Sequence, residues 1–305
     1  CLSAMGAGKE IIVSRGELVE IGGSFRVPDI MSQSGATLVE VGTTNKTKMA
    51  DYQQAITTET AALMKVHTSN YRILGFTQEV SLEEMVEVGK KNKIPVIYDM
   101  GCGLMIDLQE VNLDEPTVTK SLKTGIDLIL FSGDKLLGGP QGGIIAGKKE
   151  YIDRMKNHPL ARVLRVDKMT LAAMEATFRT YLDEDKARKE IPVLRMITMT
   201  VEQLNEKAIK LMNMIINHFP EISCEVVDIK DQIGGGSAPL VRLKGKAVSL
   251  VVNDISPEQI ERSLRKAQIP VICRIAEDRV LLDVRTIEEE EFDLVIVAVK
   301  GIFGR

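Results

Sequence analysis

Short apolar runs separated by longer stretches of mixed polarity dominate the first half of the chain. Residues 10–13, 38–41, 61–66, 94–98 and 128–131 are runs of this kind. They are too short for buried helices and suit strands covered on both faces. Residues 27–34, 51–60 and 81–92 lie between them and read as helices. Ser81 and Glu84 open the last of these as a capping box, in which the serine accepts from the backbone while the glutamate reaches back. A repeated helix-then-strand order predicts a mostly parallel sheet with helices on both faces, the large domain of an α/β protein. Residues 143–147 read as a strand returning to that sheet, and residues 148–157 and 168–182 as helices.

The second half changes rhythm. Residues 201–219 place Leu204, Ala208, Leu211 and Ile215 at helical spacing. Strands are expected at 224–227, 240–243, 247–252, 271–275 and 279–282. Helices are expected at 257–267, capped by Ser256 with Pro257 in its first turn, and at 288–302. This mixture predicts a smaller α+β domain. The charged run 183–190, followed by Pro192, is taken as the connection, giving domains 1–185 and 200–305; a solvated helix face fits that run equally well. Gly234–Gly235–Gly236–Ser237 reads as a flexible turn.

Composition narrows the class. With 305 residues, 44% hydrophobic and 27% charged, the chain has the makeup of an ordinary soluble globular protein of more than one core. Its net charge of −4 supplies no global field for nucleic acid, so any RNA contact must come from local basic patches or from parts outside this sequence. Cys1, Cys102, Cys224 and Cys273 are widely spaced. They show neither metal-ligand spacing nor a disulfide framework, which argues for a reducing cytoplasm. No apolar run approaches a membrane span, and nothing resembles a signal peptide. Gly6-Ala7-Gly8-Lys9 is not a nucleotide-binding loop, since Ser3 stands where its first glycine belongs and Glu10 where its hydroxyl residue belongs. The chain opens on Cys1 with no initiator methionine and no helix cap, so it is read as a fragment that begins in the tail of a helix.

The candidate chemistry gathers at the ends of three apolar runs. Residues 128–131 empty into Ser132-Gly133-Asp134-Lys135, followed by a Gly-Pro-Gly loop. Desolvation at the mouth of a buried strand favours a neutral amine, the form that makes imines. Asp99 ends the run before it, 36 residues upstream of Lys135, and Asn70 follows the run before that, 29 residues upstream of Asp99. Open α/β sheets bind ligands at these carboxyl ends. A pyridoxal phosphate ring needs an amine for its aldehyde, a carboxylate for its pyridine nitrogen and a donor for its phenolate oxygen, and Lys135, Asp99 and Asn70 offer the three. Ser132 offers a hydroxyl to a phosphate, and Asp134 is placed to orient Lys135 or meet substrate. The alternatives are a helix-capping aspartate, a turn asparagine and a solvated turn. The glycines at 138, 139, 142 and 143 are expected to let backbone approach the ligand. Arg162 and Arg165, three apart after Pro159, would face one way in a helical turn and suit a small oxyanion, unless they are an exposed surface pair. His67 lies near the same strand end, as a cofactor contact or a structural residue.

The set Asn70, Asp99 and Lys135 resembles the fold-type I pyridoxal phosphate enzymes. Longer words narrow the resemblance: residues 14–26 (SRGELVEIGGSFR), 40–45 (EVGTTN), 66–71 (VHTSNY), 132–141 (SGDKLLGGPQ) and 158–168 (HPLARVLRVDK). With these the chain resembles the bacterial selenocysteine synthase family, L-seryl-tRNA(Sec) selenium transferase, over essentially its whole length.

That resemblance implies a fold-type I transferase with pyridoxal 5'-phosphate on Lys135, a small carboxyl-terminal domain, and a tRNA-binding domain and phosphate-binding turn upstream of this sequence. It implies conversion of seryl-tRNA(Sec) to selenocysteinyl-tRNA(Sec), water being eliminated and selenium added from selenophosphate, which Arg162 and Arg165 would bind. It further implies a homo-oligomer, a decamer of dimers, with no membrane part. Cys102 stands where the family commonly has serine, either as an isostere or as a thiol near the selenium chemistry. Two other readings stay open: a lyase eliminating ammonia from a small phosphorylated amino sugar or amino acid, and a non-catalytic assembly subunit.

Overall fold

A computed structural model describes residues 1–234 and 237–303. It divides into two compact units, one of Cys1–Leu194 with Ile233–Val241, the other of Arg195–Gln232 with Arg242–Arg305. The flexible turn expected at 234–237 includes Gly235 and Gly236, which lie outside the described residues.

Among the described residues of the first unit, six strands form one sheet. They are β1 (Glu10–Ser14), β2 (Thr37–Val41), β3 (Thr60–Val66), β4 (Val96–Gly101), β5 (Leu128–Ser132) and β6 (Gly143–Gly147), in the order β2-β1-β3-β4-β5-β6. All neighbours are parallel except β5 and β6, so the returning strand expected at 143–147 is antiparallel. Ile11, Val13, Met64, Val66, Ile97 and Leu128 form one buried cluster, while Ile12, Leu63 and Ile129 are equally buried. Successive residues of a strand point to opposite faces, so both faces are covered, as the continuous apolar runs required. Helices Val27–Gln33, Met49–Ala55, Leu82–Asn92 and Val118–Lys123 make the crossovers. The capping box is formed: Ser81 Oγ accepts from the Glu84 N–H, and Glu84 Oε2 accepts from the Ser81 N–H.

In the second unit, β7 (Ile222–Asp231), β8 (Leu243–Val252), β9 (Arg274–Ala276) and β10 (Arg279–Asp283) form an antiparallel sheet in the order β7-β8-β10-β9. Leu204, Ala208, Leu211 and Ile215 of helix Val201–His218 pack with Val248, Leu250, Val280 and Leu282. Buried Arg285 gathers three acceptors, Asp231 Oδ2 at 2.7 Å, the Met196 carbonyl at 2.6 Å and the Lys244 carbonyl at 2.6 Å.

Three expectations are corrected. The charged run is helix Glu184–Glu190, whose Ala187 is buried in the first unit, so the division falls at Leu194 instead of within 183–190. The strands expected at 240–243 and 247–252 are replaced by one ten-residue strand, β8, because pairing along all of β7 carries it across Gly245. The strand expected at 271–275 starts only at Arg274.

Lys65 is a buried cation on β3, bonded to Glu17 Oε1 at 3.0 Å, Glu79 Oε2 at 3.1 Å and the Val80 carbonyl at 2.9 Å. Burial disfavours its ammonium, yet the Glu17 and Glu79 carboxylates outweigh that and hold its pKa above the usual lysine range. K65M strands Glu17 as an uncompensated buried carboxylate and should cost about 3 kcal/mol in chemical denaturation. Burial pushes the Glu17 carboxyl up, so the folded variant binds a proton more readily than its unfolded chain. Its deficit should therefore be smaller at about pH 5 than at about pH 8. In the second unit, burial and neighbouring Asp231 push Asp283 up to about 6. An unfolded Asp releases its proton near about pH 4, so stability should fall as pH rises from there to the raised value. Amide exchange in β10 should show that slope, and D283N should flatten it.

Candidate active site

Lys135 owes its place to its neighbours. β5 ends at Ser132, and the turn after it is nailed down by Leu136 and Leu137, both fully buried. The Leu136 N–H donates to the Cys102 carbonyl at 3.0 Å, tying this turn to the end of β4. The Gly138 N–H donates to the Lys135 carbonyl, and the Tyr181 hydroxyl donates to the Leu137 carbonyl at 2.8 Å. With its backbone held, the half-buried Lys135 side chain reaches over Gly101. A methyl added at Gly101 would lie 3.9 Å from Lys135 Nζ and 3.4 Å from Ser69 Oγ. Gly101 also has φ +73°, a conformation that side-chain-bearing residues rarely adopt.

Asp99 lies on β4 beside this glycine. Burial pushes its carboxyl above the usual carboxylate range, against the pull of Lys135, a hydrogen bond from the Gly101 N–H and the charge of His67. Asp99, Ser132 and Arg165 line one cavity of about 1370 Å³, with Phe131, Ile144 and His158 among its other walls. A buried carboxylate, a hydroxyl and an arginine thus line a hollow large enough for a cofactor and part of a substrate, and the Lys135 amine lies within electrostatic reach of that carboxylate.

The other candidates are placed differently. Helix Pro159–Leu164 stops one residue before Arg165, which is extended at φ −60°, ψ 137°. Arg162 lies inside the helix and is exposed, so the two guanidiniums do not share a helical face; the expectation of a common face fails because the helix ends too soon. Asn70 sits in a turn with its amide donating to the Glu20 carbonyl at 2.9 Å. Ser69, one residue earlier and buried, is the polar group beside Gly101. Asp134 is exposed in the lysine turn. Gly138, expected to face a ligand, instead has φ +72° and closes on protein, where a methyl would meet Ile191 at 2.5 Å and Val193 at 2.8 Å.

Glu115 escaped the sequence, and the structure decides between the two readings of Cys102. His67 Nε2 lies 2.5 Å from Glu115 Oε2, and Glu115 Oε1 accepts from Arg72 Nη2 at 2.8 Å. Glu115 belongs to a loop without periodicity, and only its neighbour Pro116 marks the place. The Cys102 thiol is buried and pushed up to about 11, so it is un-ionised at neutral pH and packs as a small apolar group. Among the described residues no cluster of His, Cys, Asp and Glu could hold a metal ion.

Because Lys135 pulls the Asp99 carboxyl down against burial, K135M should let Asp99 keep its proton to higher pH. The infrared carboxyl band assigned by difference against D99N should then persist further up the pH scale in K135M than in the unmodified protein.

The chain is similar to known proteins over nearly its whole length. The family model described as L-seryl-tRNA selenium transferase matches residues 1–288. The L-seryl-tRNA(Sec) selenium transferase of Alkaliphilus metalliredigens is 52% identical over 302 residues, covering 99% of this chain and 65% of the relative. That of Alkaliphilus oremlandii is 50% identical over 298 residues, covering 97% and 64%. The chain thus spans about two thirds of the length of the relatives it matches. Among solved structures, D-glucosaminate-6-phosphate ammonia-lyase aligns with a TM-score of 0.61 at 22% identity, covering 96% of this chain and 70% of that one. The fold is that of the fold-type I transferases. By sequence, the chain belongs to the L-seryl-tRNA selenium transferase family.

Proposed function

We propose that this chain carries the catalytic centre that turns seryl-tRNA(Sec) into selenocysteinyl-tRNA(Sec), with pyridoxal 5'-phosphate as cofactor and selenophosphate as selenium donor. The observation that carries the reading is the Lys135 amine beside the buried Asp99 carboxylate, at the joined ends of β4 and β5, in a chain half identical to relatives named for this activity. The residues fit the cofactor. Lys135 would hold its aldehyde carbon, Asp99 its pyridine nitrogen, and Ser132 a phosphate oxygen, while the missing side chain of Gly101 leaves room for the ring. When bound, pyridoxal phosphate supplies an electron sink next to the substrate's α-carbon.

The remaining work falls to the protein. Asp99 would hold a proton on the pyridine nitrogen of a bound cofactor, because a carboxylate in a dry setting strongly favours a cationic neighbour. Lys135 Nζ, freed once the seryl amine is bound, would take the α-proton. The seryl hydroxyl would leave as water with a proton taken up on departure; the selenium of selenophosphate would then bond to the β-carbon, a proton would return to the α-carbon, and water would cleave the phosphorus–selenium bond to release orthophosphate. Arg165 lines the cavity, where its guanidinium would grip the oxygens of selenophosphate; Arg162 joins it only if the short helix that carries it shifts. Self-association, a decamer of dimers, is part of the proposal. Val163, Leu164, Met169 and Leu171, large apolar side chains on neighbouring helices, are exposed, and a second copy would cover them. The setting proposed is the cytoplasm; among the described residues no helix is long and apolar enough to cross a membrane.

The test is direct. Borohydride reduction in the presence of pyridoxal phosphate should attach the cofactor to Lys135, as read by peptide mass spectrometry. Seryl-tRNA(Sec) with selenophosphate should yield selenocysteinyl-tRNA(Sec), and K135A should lower that rate by about a thousand-fold or more. R165M should raise the KM for selenophosphate about ten-fold, the loss of a charge-assisted hydrogen bond. A labelled Lys135 with no tRNA conversion, but ammonia release from a phosphorylated amino sugar, would overturn the substrate assignment.

A further inference from the structure

The loop leaving β3, from His67 to Arg72, is gripped at both ends by one carboxylate. Glu115 Oε2 meets His67 Nε2 at 2.5 Å, and Glu115 Oε1 accepts from Arg72 Nη2 at 2.8 Å. Arg72 in turn reaches back into the loop, its Nη1 donating to the Thr68 carbonyl at 2.7 Å and to Thr68 Oγ1 at 3.2 Å. The Ser69 N–H donates to the His67 carbonyl at 2.9 Å, and the His67 N–H to the Asp99 carbonyl at 2.8 Å. Every bond in this set fixes the backbone on either side of Ser69.

The side chain of Glu115 is only 2% exposed. Burying a carboxylate is costly unless its oxygens are matched, so an ordinary surface loop gains nothing from such a clamp that neutral groups could not give. What the clamp does fix is the Ser69 hydroxyl. Ser69 Oγ and Lys135 Nζ lie 3.4 Å and 3.9 Å from the place where a side chain on Gly101 would begin, so both stand over that bare stretch of backbone, close to one another. Asn70, the residue expected to supply a donor, has its amide engaged with Glu20.

We propose that Ser69 is the hydroxyl donor facing the Lys135 amine, and that Glu115 is the positioning residue that holds it there through His67 and Arg72. This rests on the function proposed above, with the Ser69 hydroxyl donating to an oxygen of the cofactor or of the seryl substrate. Glu115 itself touches neither.

The experiment uses the full-length protein loaded with pyridoxal phosphate and the variants S69A, S69T, E115Q and S69A/E115Q. The readouts are the pH dependence of the cofactor's visible absorption band, kcat and KM for seryl-tRNA(Sec), and the thermal midpoint. S69A and E115Q should move the midpoint of the band in the same direction. Each should lower kcat about ten-fold, one hydrogen bond's worth, with a smaller change in KM. The double variant should be no worse than the worse single, since Glu115 acts through Ser69. S69T, which keeps the hydroxyl, should restore the band even if E115Q fails to fold. A band and kcat unchanged in S69A, or losses that multiply in the double variant, would overturn the inference. Borohydride labelling separates the two levels: no label on Lys135 sinks the proposed function itself, whereas a labelled Lys135 with a silent S69A sinks only the role of Ser69.

Discussion

A carboxylate at the dry end of a parallel strand is the constraint around which the first unit is arranged. Asp99 is buried, and burial alone would drive it to the neutral acid. Three nearby features oppose that: the Lys135 cation, the Gly101 N–H and the charge of His67. Each depends on a different piece of chain being brought to the carboxyl edge of the sheet. β5 must run beside β4 to deliver the lysine turn, β4 must break its register at Gly101 to aim an N–H, and β3 must end level with Asp99 to bring His67. Electrostatics therefore demands what the hydrophobic pattern also builds. The apolar runs place the strands, and the charge they strand at their ends requires the loops to close in a particular way.

The same device recurs along β3. Lys65 and His67 alternate with Val66, so they emerge on one face of the sheet while Val66 joins the core on the other. Both meet a buried carboxylate from a remote loop, Glu17 for Lys65 and Glu115 for His67. Glu17 also accepts the Val66 N–H at 2.8 Å, so one side chain caps the strand's last free donor and its buried cation together. A strand ending in ionisable groups is costly to desolvate, and remote carboxylates convert that cost into specificity about which loops lie where.

This division explains what could be read in the sequence. The strands, the capping boxes and the pair Asp99 and Lys135 were legible because they are properties of short local patterns: an apolar run, its end, and the polar residue just past it. Ser69 was not, since choosing between it and Asn70 needs the direction of each side chain in an irregular turn. Arg162 and Arg165 were misjudged on a helix whose last residue is Leu164, and helix ends are set by capping and packing more than by propensity. Gly138 was assigned to a ligand when its missing side chain makes room for Ile191 and Val193, a contact 53 residues away that no local pattern announces. Glu115 lay hidden for the same reason, its two partners being 48 and 43 residues upstream.

Cys102 shows how far the environment decides chemistry. It lies one residue past Gly101, close enough for Lys135 to pull its thiol down. Burial wins over the lysine and keeps the thiol protonated. The backbone supports that outcome: the Cys102 carbonyl is spent on the Leu136 N–H, and the Leu104 N–H is directed at its sulfur. The residue thus anchors the lysine turn through its main chain while its side chain fills core. At this edge the Lys135 amine pulls the Asp99 carboxyl down against burial, and the sulfur beside them stays silent because the same dryness withholds ionisation from it.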